Sequence, residues 1–445
     1  MNKKSTIPTN RGKPHGAFHA CACSLLVLTA SESVQAQEQP EPAIAVIEEV
    51  VVSARRRGDE NLQSVPVAVS VFSSEDLTKS GIVDFADIAS RTPGFTFQEQ
   101  IGNQQELVIR GIGTLRLTGS AAEPSVGTFI DEVYIGRRGA ATPPIFDLQR
   151  AEVVRGPQGT LYGKNVVGGA INLITARPSH ERSGLIRLSA GEYAGRHGGS
   201  IWGLDSYVTG SLGANTAGRL ALQYSDSGGY ARNVLLDEKL EDQRSYALRG
   251  SLLFTPSEQI SIHLVAEAGD SKGNGQSRRA IDDPTVADPG AVSSSGVLPD
   301  NIRESLSPWT QWDEREFYGL TARVDYQLSD SKTVTYLAAV RGGDYEGRFS
   351  LIGATSPPSL TDAANGQVEK YIGITQDLRI GSASDGPLNW LGGLYYLRED
   401  TEVRDRSIAT TFLSFLGPGS LGDILDGELF YDQENVTESL AVYGE

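Results

Sequence analysis

The sequence lacks three features that would narrow its class at once: a set of cysteines, a supply of methionine and a long apolar run. The 445 residues include only two cysteines, Cys21 and Cys23, and one methionine. No apolar run reaches the roughly 20 residues that a membrane-spanning helix requires, which excludes a helical membrane protein. Strands that cross a membrane alternate apolar with polar residues, so a hydrophobic content of 39% leaves a membrane β-barrel open.

The first 36 residues have the order of a secretory signal peptide. Basic residues such as Lys3 and Lys4 come first, the apolar stretch AFHACACSLLVLTA follows, and Ala36 ends a small-residue cleavage site. We therefore predict a signal peptide over residues 1–36, with a buried N-terminal helix as the alternative. Both cysteines fall inside this segment, so the exported chain would have neither disulfides nor thiol chemistry.

Positive charge and catalytic groups are also scarce. Cleavage after residue 36 would remove four basic residues and one acidic residue from totals of 39 and 56, leaving a net charge of about −20, which argues against nucleic-acid binding. The remaining histidines, His180, His197 and His263, are far apart and lack the spacing of metal ligands. No nucleophile elbow or zinc-protease motif occurs. We predict no enzyme activity, no metal site and no cofactor.

From residue 183 onward, apolar and polar residues alternate. Leu248 and Leu252, for example, alternate with Arg249 and Ser251, which indicates a strand with two different faces. The same period of two recurs in three further segments, 259–267, 318–326 and 333–341. Short turns separate some of these segments and long polar loops separate others, the longest over 268–313, as in outer-membrane barrels. A soluble β-sandwich also alternates, but the charged residues on the second face favour a barrel with an apolar outside.

The segment VVRGPQGTLYGKN (153–165) raises the question of a phosphate-binding loop. A Walker loop requires a glycine five residues before the Gly-Lys pair and a serine or threonine after it. This chain has Gln158 and Asn165 at those positions. The phosphate-binding interpretation therefore fails, and the glycines are better explained as turn residues between two strands, since glycine adopts positive φ without strain.

The wider segment, FDLQRAEVVRGPQGTLYGKNVVGGAINLITARP (146–178), closely resembles the plug domain of TonB-dependent outer-membrane receptors. The resemblance continues upstream in LVIRGIG (107–113) and VGTFIDEVYIGR (126–137), and downstream in TQDLRI (375–380). It implies a plug domain over 58–178 and a partial β-barrel over 183–445. The resemblance also implies turn roles for five plug residues, Gly111, Gly156, Pro157, Gly159 and Gly163.

The resemblance gives a role to IEEVVVSARRR (47–57) as well. From the residues alone, the segment could be no more than a first edge strand. In the family, such a segment is the TonB box, which adds as a strand to the periplasmic domain of TonB. We therefore predict a periplasmic linker over 37–57 and a TonB-binding segment of seven residues, Glu48, Glu49, Val50, Val51, Val52, Ser53 and Ala54.

Two plug arginines match family positions that pair with carboxylates on the barrel wall. Arg110 in LVIRG and Arg155 in VVRGP are thereby predicted to fix the plug in the barrel, because a buried guanidinium needs such partners. Each could instead be a surface arginine at a strand end. Asp377 and Glu438 are possible carboxylate partners, although nothing in the sequence assigns them.

The predicted fold is an N-terminal α+β plug domain followed by a transmembrane antiparallel β-barrel. Barrels of this family resemble those of about 22 strands, whereas the alternating region accommodates roughly ten. The chain ends in ESLAVYGE, without a terminal aromatic residue. We therefore expect a barrel truncated at its C-terminus, from a fragment of a longer protein or a truncated product.

The resemblance implies active import across the bacterial outer membrane. The expected partners are outer-membrane lipid, a ferric siderophore, and TonB with its inner-membrane proton-driven complex. Three alternatives stay open: another bulky nutrient such as a glycan, a cobalamin-like or an aromatic compound; a non-transporting remnant; and a passive porin, which the plug and the TonB-box-like segment disfavour.

Overall fold

The computed structural model describes residues 51–52, 60–61, 67–99, 105–114, 119–137, 144–278, 301–350, 363–382, 388–409 and 428–445. The predicted signal peptide and most of the predicted linker lie outside the described residues. The chain first forms a mixed domain of helices and strands and then a large antiparallel sheet. The mixed domain is called the plug below, and the large sheet the wall.

The plug contains short strands and helices in an irregular order. Its elements are β1 (Val51–Val52), β2 (Glu60–Asn61), β3 (Ala68–Ser73), α1 (Ser74–Lys79), α2 (Phe85–Arg91), β4 (Phe95–Glu99), β5 (Gln105–Ile109), β6 (Val126–Ile130), β7 (Val133–Tyr134), β8 (Leu148–Arg155), α3 (Gly159–Tyr162) and β9 (Gly169–Thr175). Five of the strands form one sheet in the order β3-β8-β9-β6-β7, and β4 pairs with β5 in a separate hairpin.

Local capping sets the starts of the two longer plug helices. At α1, the Ser73 side chain accepts from the Asp76 backbone N–H at 3.1 Å, and the Asp76 carboxylate accepts from the Ser73 N–H at 3.0 Å, a capping box. At α2, the Asp84 carboxylate accepts from the Asp87 N–H at 2.8 Å. No helix in the described part of the chain is long and apolar enough to span a membrane.

The central strands of the plug sheet are buried on both faces, but only one face is wholly apolar. Val153 on β8 and Ile171 on β9 are fully buried, and they belong to one hydrophobic cluster with Ile88 of α2 and Ile109 of β5. The other face carries a buried ion pair, in which Arg150 lies 2.8 Å from Glu152, because buried charges need partners. The strands predicted on either side of the glycine-rich turn are confirmed as β8 and β9.

The glycine-rich turn between β8 and β9 uses its glycines unequally. Gly156 has φ +102° and Gly163 has φ +79°, and Gly111 after β5 has φ +78°, so these positions need glycine. The expectation of a positive φ at Gly159 was wrong, because this residue instead begins α3. At Gly169 a β-carbon would overlap the Val154 carbonyl, which accounts for the glycine where β9 begins.

Ten consecutive long strands make up the wall, each hydrogen-bonded to its neighbour in an antiparallel ladder. They are β10 (Ser183–Glu192), β11 (Ser200–Gly213), β12 (Thr216–Ser227), β15 (Gln243–Ser257), β16 (Ile260–Gly273), β18 (Trp312–Ser329), β19 (Lys332–Ser350), β20 (Ala363–Ser382), β21 (Leu391–Ala409) and β22 (Glu428–Gly444). Three further short strands, β13 (Ala231–Asn233), β14 (Glu238–Leu240) and β17 (Glu304–Ser305), form a separate sheet within the long connections.

The two faces of the wall have opposite chemistry. On β15, Leu248 and Leu252 are 46% and 43% exposed, whereas Arg249 and Ser251 between them are 2% and 6% exposed. The buried set faces the plug, because the Arg249 guanidinium donates to the backbone oxygen of Phe146 at 2.9 Å. The predicted barrel wall, apolar outside and polar inside, is therefore confirmed.

The connections at one end of the wall are short, and those at the other end are long. Two residues separate β11 from β12, β15 from β16, and β18 from β19. The predicted loop over 268–313 is longer than the observed connection, because β16 continues to Gly273 and β18 begins at Trp312. Between them, β17 pairs with β13, and the Glu304 carboxylate accepts from Nε2 of the His197 ring at 2.7 Å.

Candidate functional site

The surface where the plug meets the wall is the candidate functional site. Contacts between the two regions run from the first wall strand, where the Arg187 guanidinium donates to the Thr78 hydroxyl at 3.2 Å, to the last, where the Ser120 N–H donates to the Gln433 side chain at 3.1 Å. Apolar contacts lie between these limits, since Phe146 of the plug clusters with Phe317 of the wall and Val133 clusters with Leu337. Ion pairs join the two regions as well. They are made by four plug residues, Glu132, Arg137, Asp147 and Lys164.

Glu132 lies on a two-residue turn that points at the wall. Asp131 and Glu132 have φ +46° and +71°, as the tightest β-hairpins require. Asp131 holds the turn to the plug, since its carboxylate accepts from the N–H and hydroxyl of Thr175 at 2.9 and 2.6 Å. Glu132 accepts from Arg323 at 2.6 Å and lies 2.5 Å from the Arg379 guanidinium. One short turn thus joins two wall strands to the plug.

Asp147 makes a second contact, just before β8. Its carboxylate accepts from the Nε of Arg219 at 3.0 and 3.1 Å, and a second guanidinium nitrogen completes the pair. The guanidinium carbon also lies 3.7 Å from the centre of the Tyr207 ring. Arginine suits such a site because its planar group can bind a carboxylate and stack on a ring together.

Arg249 links the next wall strands to the plug backbone. Besides Phe146, its guanidinium donates to the Glu267 carboxylate at 2.9 and 2.7 Å, and Arg341 donates to the other Glu267 oxygen. Arg249 and Glu267 have side chains only 2% exposed. Charges buried this deeply need complete pairing, and here two arginines share one glutamate.

Arg137 joins the end of the β6–β7 hairpin to the opposite part of the wall. It donates to both oxygens of Glu369, at 2.9 and 2.8 Å, in a two-pronged ion pair. The same guanidinium donates to the backbone oxygens of Gly119 and Ala122 at 3.0 and 3.3 Å. Arg137 therefore connects the plug segment that contains Gly119 and Ala122 to the wall at one point.

Lys164, from the segment first tested as a phosphate loop, binds carboxylates instead. Its ammonium lies 2.8 Å from Glu399 on β21 and 2.9 Å from Glu123 of the plug. The Tyr371 hydroxyl donates to the second Glu399 oxygen at 3.0 Å, and a β-carbon at Gly136 would overlap that carboxylate. The plug backbone thus lies against the end of the Glu399 side chain, which a larger residue at position 136 would have to displace.

The arginines predicted from the sequence lie at a different part of the plug. Arg110 follows β5 with φ +53°, and its N–H donates to the Gly94 carbonyl at 2.7 Å. Arg155 ends β8 and donates to the Pro93 carbonyl at 3.2 Å. Neither forms an ion pair with a carboxylate of the described ranges. Their role in fixing the plug stays a prediction.

The two carboxylates considered as partners are engaged within the wall. Asp377 accepts from the Tyr443 hydroxyl at 2.7 Å and lies 3.3 Å from the Arg379 guanidinium. Glu438 pairs with Arg398 at 2.9 Å on the neighbouring strand. The charged groups that do join plug and wall had a weak sequence signal, namely charged residues spaced by two on the inward face of the strands.

Only the middle of the predicted TonB-binding segment belongs to the described residues. Val51 and Val52 form β1, which pairs antiparallel with Glu60 and Asn61. This pairing agrees with the strand preference of the segment. The other five predicted residues, Glu48, Glu49, Val50, Ser53 and Ala54, lie outside the described residues, and TonB binding stays a prediction.

Comparison with known proteins begins with the plug. Residues 61–170 match the family model TonB-dependent Receptor Plug Domain. The chain is 29% identical over 218 residues to the iron-regulated outer membrane virulence protein of Vibrio cholerae, covering 48% of this chain and 33% of that protein. It is 25% identical over 363 residues to the ferrioxamine B receptor of Salmonella typhimurium, covering 78% of this chain and 46% of that receptor. The matches thus span half or less of these relatives.

Solved structures share the fold. The siderophore receptor PiuA from Acinetobacter baumannii has a TM-score of 0.66 at 16% identity, over 89% of this chain and 57% of that one. The ferric yersiniabactin uptake receptor FyuA from Yersinia pestis has a TM-score of 0.62 at 15% identity, over 85% and 61%. Residues 61–170 therefore match the plug domain of TonB-dependent receptors, and the chain shares the fold of solved siderophore receptors.

Proposed function

We propose that the protein imports a scarce, bulky ligand, a ferric siderophore, across the outer membrane in a TonB-dependent cycle. The ligand would bind from the side of the long connections. TonB would bind Glu48 to Ala54 by strand addition and pull on the plug, with the inner-membrane proton gradient as the energy source. The names of the relatives support this ligand class, since one is a ferrioxamine B receptor and one solved neighbour takes up ferric yersiniabactin.

The observation that carries the proposal is the set of ion pairs that join the plug to the wall beside the apolar clusters of the same contact. A transport cycle requires a plug that stays in place at rest and yet moves away from the wall when pulled. Charged groups regain hydration when they separate in a wet lumen, which offsets part of the lost attraction. Separating an apolar contact of the same area would expose apolar surface to water, at a free-energy cost of roughly 25 cal/mol per Å². The pairs at Glu132, Arg137, Asp147 and Lys164 therefore suit a movable plug.

The test is iron uptake in cells that express the protein and lack competing receptors. Radiolabelled iron is supplied on hydroxamate, catecholate and mixed siderophores, one at a time. Deletion of Glu48–Ala54 should abolish uptake of the accepted chelate without changing its binding to whole cells. Deletion of residues 38–44 removes the same number of linker residues and should leave uptake intact.

The outcomes separate the remaining possibilities. Unchanged uptake after deletion of Glu48–Ala54 would refute TonB coupling through this segment. A membrane-inserted protein that takes up no iron chelate would refute the ligand class and direct the search to cobalamin-like compounds, glycans and aromatic nutrients. A relative described as a vitamin B12 transporter, 26% identical over 186 residues, makes a cobalamin the first of these to try.

A further inference from the structure

Lys164 is held in an unusual backbone setting that directs its side chain away from the plug core. The residues on either side, Gly163 and Asn165, have φ +79° and +66°. Asn165 is fixed there because its amide donates to the Tyr134 hydroxyl at 2.7 Å. A non-glycine residue at positive φ is uncommon and indicates that the surrounding structure determines the conformation. The short segment after α3 is thus shaped to present one ammonium group.

The ammonium lies between two carboxylates that belong to different regions. Glu399 is a wall residue with a side chain 9% exposed, whereas Glu123 is a plug residue 47% exposed. Burial alone would lower the pKa of Lys164, but the two carboxylates outweigh it and hold the pKa above its ordinary value. Lys164 therefore stays charged, and it can keep one carboxylate when it loses the other.

The wall side of the contact is also prepared for separation. Glu399 keeps the Tyr371 hydroxyl, at 3.0 Å, as a donor after the ammonium leaves. Tyr371 is itself buried in the wall face and accepts from the Gly136 N–H at 3.4 Å. A carboxylate that retains a hydrogen bond is less costly to leave unpaired than one that retains none. Each partner of this ion pair thus has a second partner on its own side.

We propose that Lys164 is a positioning residue of the transport cycle. Its ammonium binds Glu399 and Glu123 at rest and keeps only Glu123 when the plug moves. At rest it holds the turn between β8 and β9 to the wall through Glu399. When the plug moves, the ammonium leaves Glu399 and stays with Glu123, so the separated state contains no unpaired lysine. The proposal rests on import through plug movement, and it assigns opposite effects to two acids that bind the same ammonium.

The opposite effects can be measured by hydrogen exchange of backbone amides in residues 156–168. The protein is purified from outer membranes and studied without ligand or TonB. Loss of the wall contact favours the separated state, so Lys164→Met and Glu399→Gln should each raise exchange in this segment about tenfold. Lys164→Arg, which keeps the charge, should restore exchange toward the native rate.

Glu123→Gln distinguishes a residue that changes partners from a simple anchor. At rest the ammonium keeps Glu399 after this substitution, whereas in the separated state it loses its remaining carboxylate. Exchange of residues 156–168 should therefore fall roughly threefold, a modest effect because Glu123 is half exposed. If the Lys164–Glu399 and Lys164–Glu123 contacts were both merely stabilising, Lys164→Met, Glu399→Gln and Glu123→Gln would all raise exchange.

The control is Lys79→Met, which removes an exposed plug lysine paired with Glu75 and should change nothing in residues 156–168. Unchanged exchange over 243–257 in every variant shows that the wall is folded. Unchanged exchange in Lys164→Met, or equal or faster exchange in Glu123→Gln, would overturn the proposal. Because the experiment uses neither ligand nor TonB, its failure would leave the proposed import standing, and a failed uptake experiment would leave this result standing.

Discussion

The interior of the plug and its contact with the wall are built from different chemistry. The interior is closed by apolar side chains such as Val153 and Ile171, which have no exposed surface. The contact with the wall combines apolar clusters, such as Phe146 with Phe317, with paired charges such as Arg137–Glu369 and Lys164–Glu399. Apolar burial favours one packed state and is costly to undo, whereas ion pairs are specific in geometry and hydrate when separated. The comparison indicates that the ion pairs lower the cost of separating the plug from the wall, whereas the plug interior has no such compensation.

The largest expected effect is a change in the plug interior. Ile171→Ala removes a fully buried side chain from the central strand of the plug sheet and should destabilise the plug by about 4 kcal/mol. Chemical denaturation followed by amide exchange at residues 148–155 measures this loss. The wall amides over 243–257 serve as the control and should unfold at the native midpoint. An equal loss of stability in the wall would show that the plug and the wall unfold together.

A smaller effect is expected at the contact with the wall. Arg137→Met leaves Glu369, 5% exposed, with a buried charge, which should cost about 3 kcal/mol. The double variant Arg137→Met/Glu369→Met removes both charges and should recover most of that loss. Amide exchange over 126–134 reports both values. If the double variant were as unstable as the single one, the ion pair would stabilise the plug beyond the mutual neutralisation of its two charges.

The smallest expected effect is at a glycine that the turn does not require. Gly159 begins α3, and a β-carbon there would meet no atom within 4 Å. Gly159→Ala should therefore stabilise the plug by about 0.5 kcal/mol, since alanine restricts the unfolded chain. Gly156→Ala, at φ +102°, is the matched control and should destabilise it by more than that amount. The same denaturation experiment detects both signs, and a loss of stability in Gly159→Ala would count against a helical start there.

Local patterns predicted the wall strands and the turn between β8 and β9, whereas the plug as a domain was predicted from the resemblance to a known family. Alternation over 245–254 identifies a strand and its two faces without any knowledge of its neighbours. The glycines at 156 and 163 likewise indicate a turn on their own. The plug–wall pairs have no such local pattern, since Arg137 and Glu369 are 232 residues apart and any inward acid would satisfy the same spacing rule. Only the register of the strands selects the partner.

The same limit explains the different outcome at the arginines and at Lys164. Arg110 and Arg155 were selected by position within motifs, and the described contacts of Arg155 are with the plug backbone. Lys164 was considered only for phosphate, because its segment was compared with nucleotide-binding loops. Its actual partners include a wall residue 235 positions away. A lysine on a glycine-rich turn predicts a negatively charged partner, but the sequence alone does not identify that partner.

The close approach at Gly136 makes two distant positions depend on each other. A methyl group at 136 would occupy the space of the Glu399 carboxylate, so a larger residue at 136 would displace that carboxylate from its partners. We expect related receptors with alanine at the first position to carry a shorter side chain, such as aspartate, at the second. In the evolution of such chains, the plug and the wall would then diverge as a matched pair, and a plug exchanged between two receptors would fit only where both positions were exchanged together.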